Sequence, residues 1–97
     1  MKVVWSEAAF RRLDEIRQYV GQDNPRAAEA LVGRLVDRGD SLSRLSSRGR
    51  PVPEVSEAGL RELIEGNYRI VYRVRSAEVQ IVTVFEGHRR LPEEDLK

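Results

Sequence analysis

Apolar and polar residues recur along this chain in two periods, and the switch between them divides it. Lys2-Val3-Val4-Trp5 is a short run of β-type residues and reads as a first strand. Ser6 follows as an N-cap, and Glu7 suits the positive end of a helix dipole. Ala9, Leu13, Ile16 and Val20 then repeat at the spacing of one helical face. Phe10 and Tyr19 flank that face, charged and amide residues fill the other, and Gly21 stops the helix. Asn24-Pro25 restarts it, with Asn as cap and Pro pre-set for the first helical position. Ala28, Leu31, Leu35, Leu42 and Leu45 continue as one apolar stripe, broadened by Val32 and Val36. Gly33 and Gly39 interrupt this second helix at about 1 kcal/mol each relative to Ala, so Gly39 marks either a break or a close approach. The short joint predicts an antiparallel helical hairpin.

The stretch Ser46-Ser47-Arg48-Gly49-Arg50-Pro51-Val52-Pro53 ends helical structure and reads as an extended loop. Beyond it the period falls to two. Leu60–Glu65 forms one strand, and Gly66-Asn67 is a two-residue hairpin turn. Tyr68, Ile70, Tyr72 and Val74 share one face of the next strand, and Ser76-Ala77 turns the chain again. Strict alternation in the last strand puts Val79, Ile81, Thr83 and Phe85 on one face. The tail, residues 89–97, is polar and reads as a candidate flexible segment. The predicted fold is α+β: an N-terminal strand, an antiparallel helical hairpin, then a three-strand antiparallel meander, with both helices packed on one face of the sheet.

Composition narrows the chemistry. Ninety-seven residues suit one domain, 1–97, with no internal repeat. There is no Cys and one His, so disulfides and thiolate metal sites are excluded, and no metal or cofactor is expected. No apolar run has the length of a membrane span or a signal peptide, so a cytoplasmic protein with no membrane partner is expected. The formal net charge is +1, from 17 basic and 16 acidic residues. All the basic residues except Lys2 and Lys97 are Arg, the residue whose planar fork suits carboxylates and phosphates.

The position of the arginines matters more than their number. Arg69, Arg73 and Arg75 project from one side of their strand, Arg61 lies on its neighbour, and Arg89 and Arg90 follow the last strand. Such a group fits RNA phosphate or an acidic protein segment, unless cross-strand pairing with Glu62, Glu65, Glu78 and Glu86 neutralises it. Arg44, Arg48 and Arg50 form a second basic group on the loop, with no acid between them. His88 is the one side chain whose ordinary pKa lies near neutrality. With Glu86 and either Arg61 or Arg69 it could form a His–carboxylate–Arg set for RNA cleavage, against the plainer reading of a surface His at a strand exit. No phosphate loop, Ser–His–Asp set or metal-ligand spacing is present.

Several segments together resemble the RelE/ParE superfamily of toxins from bacterial type II toxin–antitoxin systems. They are Trp5-Ser6 with Ala9, Leu13 and Ile16; Tyr19 through Asn24-Pro25-Arg26-Ala27-Ala28; Gly49-Arg50-Pro51-Val52-Pro53-Glu54; Leu60-Arg61-Glu62-Leu63; Tyr68 through Val74; and Val84-Phe85-Glu86-Gly87-His88-Arg89. The resemblance spans nearly the whole chain and rests on order and spacing. It implies a cognate antitoxin in a hetero-oligomer, with operator DNA reached only through the antitoxin. It also implies one of two targets: DNA gyrase for ParE-like members, or ribosome-bound mRNA, cleaved without a metal, for RelE-like ones. No Lys lies between Lys2 and Lys97, and no aromatic follows Phe85. Both departures favour the ParE-like branch, a gyrase inhibitor that is not an enzyme. Its target- or antitoxin-binding residues would be Arg61, Arg69, Arg73, Arg75, Arg89 and Arg90. The ribonuclease alternative would use Arg61, Arg69, His88 and Glu86. A third possibility is a non-catalytic module that only binds its antitoxin.

Overall fold

A computed structural model, which describes residues 1–56 and 59–97, has the order β1 (Lys2–Trp5), α1 (Glu7–Gly21), α2 (Pro25–Asp40), β2 (Arg50–Pro51), β3 (Leu60–Glu65), β4 (Tyr68–Arg75) and β5 (Glu78–Glu86). Single 3₁₀ turns at Ser41–Ser43 and Glu93–Leu96 follow α2 and β5. The expected caps start both helices: Ser6 Oγ accepts from the Ala9 N–H at 3.0 Å and Asn24 Oδ1 from the Ala27 N–H at 3.1 Å. Both hairpins turn on a left-handed residue, Gly66 at φ +58° and Ser76 at φ +55°. No helix among the described residues is long and apolar enough to cross a membrane.

The α+β class and the packing of both helices against one face agree with the prediction. The sheet is larger than the meander, however. Its order is β1-β5-β4-β3-β2, with β1 parallel to β5 and every other pair antiparallel. β2, read from sequence as loop, adds an edge to β3 by pairing Arg50 with Glu62 and Pro51 with Arg61. The second helix also stops earlier than its apolar stripe suggested. Leu42 is buried from the 3₁₀ turn, whereas Leu45 is exposed.

The core has two parts. Between helices and sheet lie Leu13, Leu35, Leu42, Leu63, Ile70, Tyr72, Val79, Ile81 and Val84. Burying each of the larger side chains contributes about 1.5–3 kcal/mol. Trp5 joins this part from β1, its indole donating to Asp40 Oδ1 at 2.9 Å. Gly39 lets the ring lie against α2, because a Cβ there would come 2.5 Å from Trp5 Cζ2. The close approach is therefore to a strand residue.

On the opposite face Val52, Leu60, Val71, Val82, Phe85 and Leu91 form a second cluster, joined by Val55 and Leu96. A β-bulge creates it. The register shifts between Val71 and Tyr72, so that Thr83 pairs with Val71, Ile81 pairs with Tyr72, and Val82 is the extra residue. Phe85 is thereby turned to the face opposite Val79 and Ile81, against the strict alternation expected. The polar tail closes this cluster. Leu91 is buried, Arg73 donates to the Leu96 carbonyl at 2.8 Å, and the Asp95 carboxylate accepts from Thr83 at 2.8 Å and from Arg12 Nε at 2.7 Å. Burial alone would raise the Asp95 pKa, but the Arg12 and Thr83 hydrogen bonds and nearby Arg charges hold it below the ordinary value.

Candidate functional site

The structure separates the arginines that the sequence grouped. Arg69, Arg73 and Arg75 do leave β4 on one side, but that side is the second cluster. Arg69 and Arg73 are consequently buried. Arg61 belongs to the other face of the sheet. It pairs with Tyr72, while Leu60 and Ile64 pair with Arg73 and Arg69, and it donates to the Gly49 carbonyl at 2.7 Å. Arg75 is exposed at the far end of β4, about 23 Å of strand from Tyr68. Arg89 pairs with Glu86 at 3.4 Å, and Arg90 is exposed.

Arg69 is the centre of a closed ion network. Its Nε donates to Glu62 Oε1 at 2.8 Å, and Nη1 and Nη2 grip the two oxygens of Glu54 at 2.7 and 2.6 Å. Arg50 completes the set from β2, with Nε and Nη2 both 2.7 Å from Glu62 Oε2. The guanidinium of Arg69 lies 4.8 Å from the Phe85 ring centroid, within cation–π range. Its pKa is raised, first by the Glu54 hydrogen bonds and then by Glu62, against the cost of burial. Glu54 is correspondingly lowered by its hydrogen bonds to Arg69. Two carboxylates and two guanidiniums thus balance in a site where Glu62 is fully buried.

The sequence reading anticipated Glu62 as a cross-strand partner but missed Glu54, which a non-periodic loop delivers. The available signal was apolar Val52 and Val55 flanking it, a sign that this loop packs down.

Beside this network the β5 exit meets the β3–β4 turn. The Gly87 N–H donates to the Asn67 carbonyl at 2.6 Å, and Gly87 fits because a Cβ would come within 3.2 Å of that oxygen. His88 is thereby held at the rim of a depression of ≈ 310 Å³ that Arg50, Tyr68 and Arg69 also line. Its Nε2 lies 3.3 Å from Glu86 Oε1, and the side chain is 75% exposed. Glu86 is shared with Arg89. On the helix side, Ile16, Tyr19, Tyr68, Val84 and Phe85 line a groove of ≈ 290 Å³ rimmed by Arg12, Glu15, Glu86 and Arg89. Burial foremost, aided by the Glu86 charge, raises the Tyr68 pKa and keeps its phenol protonated.

Of the proposed catalytic set, His88 and Glu86 are brought together and Arg69 lies nearby. Arg61 is on the opposite face, and all three nitrogens of Arg69 are engaged by carboxylates. The accessible part of this set is the His88–Glu86 pair, with Arg89 sharing the Glu86 carboxylate. No group of acids and histidines suited to a metal ion occurs among the described residues.

The family model for the ParE toxin of type II toxin–antitoxin system, parDE, matches residues 3–91. The chain belongs to the ParE toxin family. This toxin is 37% identical over 94 residues to the putative toxin Y4kP of Sinorhizobium fredii, covering 95% of this chain and 94% of the relative. It is 39% identical over 84 residues to toxin RelE2 of Caulobacter vibrioides, covering 86% and 91%. Its fold is similar to one from the chromosomal ParDE system of P. aeruginosa, with a TM-score of 0.75, 27% identity, and 89% of this chain and 95% of that one covered. A second similar structure comes from the RelBE2 toxin–antitoxin complex of Mycobacterium tuberculosis, with a TM-score of 0.65, 27% identity and 88% of each chain covered. The RelE/ParE resemblance drawn from the sequence is therefore established, and with it a toxin of a type II system.

Proposed function

We propose that this toxin arrests growth by binding and poisoning DNA gyrase, does no covalent chemistry itself, and is neutralised by a cognate antitoxin in a hetero-oligomer. The observation that carries the reading is the neutralised Arg69. RNA cleavage without a metal needs a cation free to stabilise the phosphorane and a base beside the 2′-hydroxyl. Here Arg69 is saturated by Glu54 and Glu62, Arg61 faces away, and His88 stands exposed. An antitoxin partner is supported by the similar structures, which come from toxin–antitoxin systems. It is also supported by the apolar groove with its charged rim and by the exposed Phe10 and Tyr19, which offer a partner apolar surface.

Purified toxin added to gyrase and relaxed plasmid should inhibit supercoiling or trap gyrase-dependent DNA breaks, and expression without antitoxin should arrest growth with message intact. Full supercoiling at saturating toxin, with codon-linked cleavage of ribosome-bound mRNA lost in His88→Ala or Arg61→Ala, would replace this reading with the ribonuclease. Antitoxin binding without growth arrest would reduce the protein to an interaction module.

A further inference from the structure

The Arg44–Arg50 loop is not absorbed by the site above. It leads into the β2 edge of the sheet, and its backbone is held at three points, with a fourth just before it at Ser43. The N-terminal ammonium donates to the Ser43 carbonyl at 2.7 Å, and the Tyr72 phenol donates to the Ser46 carbonyl at 2.8 Å. The same phenol oxygen accepts from the Gly49 N–H at 2.8 Å, and Arg61 donates to the Gly49 carbonyl. Glycine is required at that last point, since a Cβ would come within 2.6 Å of the Tyr72 oxygen. A loop of serine and arginine is thus held in one shape with its long side chains outward.

What it presents is unneutralised charge. Among the described residues Arg44 has no polar side-chain partner and the Arg48 side chain donates only to Ser41 Oγ, at 3.2 Å. Arg48 shares a depression of ≈ 320 Å³ with Arg34 and Arg38 of α2. Arg38 is matched there by Glu65 at 3.5 Å, whereas Arg34 makes no ion pair among the described residues and Asp37 is the other acid lining the depression. Among the described residues Arg34, Arg44, Arg48 and Arg61 have no carboxylate partner, in a chain whose formal charge is only +1.

The occupant is set by what accompanies the charge. The edge carries mainly Arg and Ser side chains, and its exposed apolar residues, Met1, Leu45 and Pro51, include no aromatic anchor of the kind that protein interfaces favour. It also lacks stacking groups for single-stranded RNA. The exposed aromatics, Phe10 and Tyr19, both lie on α1, and Tyr72 is buried beneath the loop. Guanidiniums carried on a pinned backbone, without base-reading or stacking partners, fit backbone phosphates. We propose that this edge binds the sugar–phosphate backbone of duplex DNA without regard to sequence. The inference goes beyond the gyrase reading and would give the toxin its own hold on the DNA that gyrase carries.

The test uses the full-length toxin alone and a labelled duplex oligonucleotide, with binding followed by fluorescence anisotropy across a salt series. Phosphate contacts from Arg34, Arg44 and Arg48, with Arg61 held by the Gly49 carbonyl, predict that a fourfold rise in salt weakens binding roughly 40-fold. Arg44→Glu/Arg48→Glu should lower the slope of log affinity against log salt by about 2, and Arg34→Gln by about 1. The charge-matched Lys2→Glu/Arg26→Glu variant should keep the wild-type slope. Thermal melts confirm that all variants are folded, and the substituted side chains are exposed. Equal losses in the two double variants, a wild-type slope without Arg44 and Arg48, or tighter binding of single-stranded RNA or a polyglutamate peptide would overturn the proposal. Because no gyrase is present, failure here leaves the gyrase reading intact, and failure of the supercoiling assay leaves this one intact.

Discussion

Replacing Arg69 with Met tests the ion network that closes the second face. The substitution preserves much of the side-chain volume over Phe85 but removes the charge between Glu54 and Glu62. Glu62 is fully buried and would keep only Arg50, whose own side chain is 59% exposed. Breaking one partner out of a buried ion pair typically costs about 3–5 kcal/mol. Domain stabilities are about 5–15 kcal/mol, so the variant should lose a large fraction of its stability. Urea titrations at constant temperature, read by far-ultraviolet circular dichroism and Trp5 fluorescence, give the loss directly. The single variants Arg69→Met and Glu62→Leu should each be severe, and the double variant should recover much of the loss. Arg50→Gln touches an exposed partner and should cost under about 1 kcal/mol. If Arg69→Met costs less than about 1 kcal/mol, or the two losses simply add, the buried network is not what fastens loop 50–55 to the sheet.

Other positions give independent readings. Gly39→Ala should destabilise by about 1–3 kcal/mol despite better helix propensity, because the methyl meets Trp5, whereas Gly33→Ala has open space and should stabilise by up to about 1 kcal/mol; thermal melts of the pair measure both. Tyr72→Phe strands the Gly49 N–H and the Ser46 carbonyl, costing about 1–3 kcal/mol, and hydrogen exchange should report loosening confined to residues 44–50. Asp95 has a depressed pKa in the folded state, so its contribution is complete above the ordinary Asp value and is lost as pH falls through the folded one. Asp95→Asn should therefore be less stable than wild type at neutral pH, and the difference should shrink below about pH 4 in denaturation series.

The regular parts of this fold were legible because their signals are local. Ser6 and Asn24 cap their helices as read, and Gly66-Asn67 and Ser76-Ala77 turn the hairpins. The parallel docking of β1 on β5 was not legible, since Val3 pairs with Val79 across most of the chain and nothing near Val3 encodes that partner. Nor was the second cluster. Val52, Val55, Leu91 and Leu96 sit in irregular segments with no period to detect, and one extra residue at Val82 reverses the face of Phe85. The same gap explains the arginines. Alternation assigned Arg69 and Arg73 correctly to one side of β4, but a side opposite the helices reads as solvent unless something is seen to cover it.

Gyrase supercoiling in the presence of this toxin, with and without its antitoxin, separates poisoning of gyrase from action on another target. A gyrase poison gives dose-dependent loss of supercoiled product or accumulation of gyrase-linked breaks, reversed by antitoxin and retained in His88→Ala. Undiminished supercoiling at saturating toxin that still arrests growth would contradict gyrase poisoning.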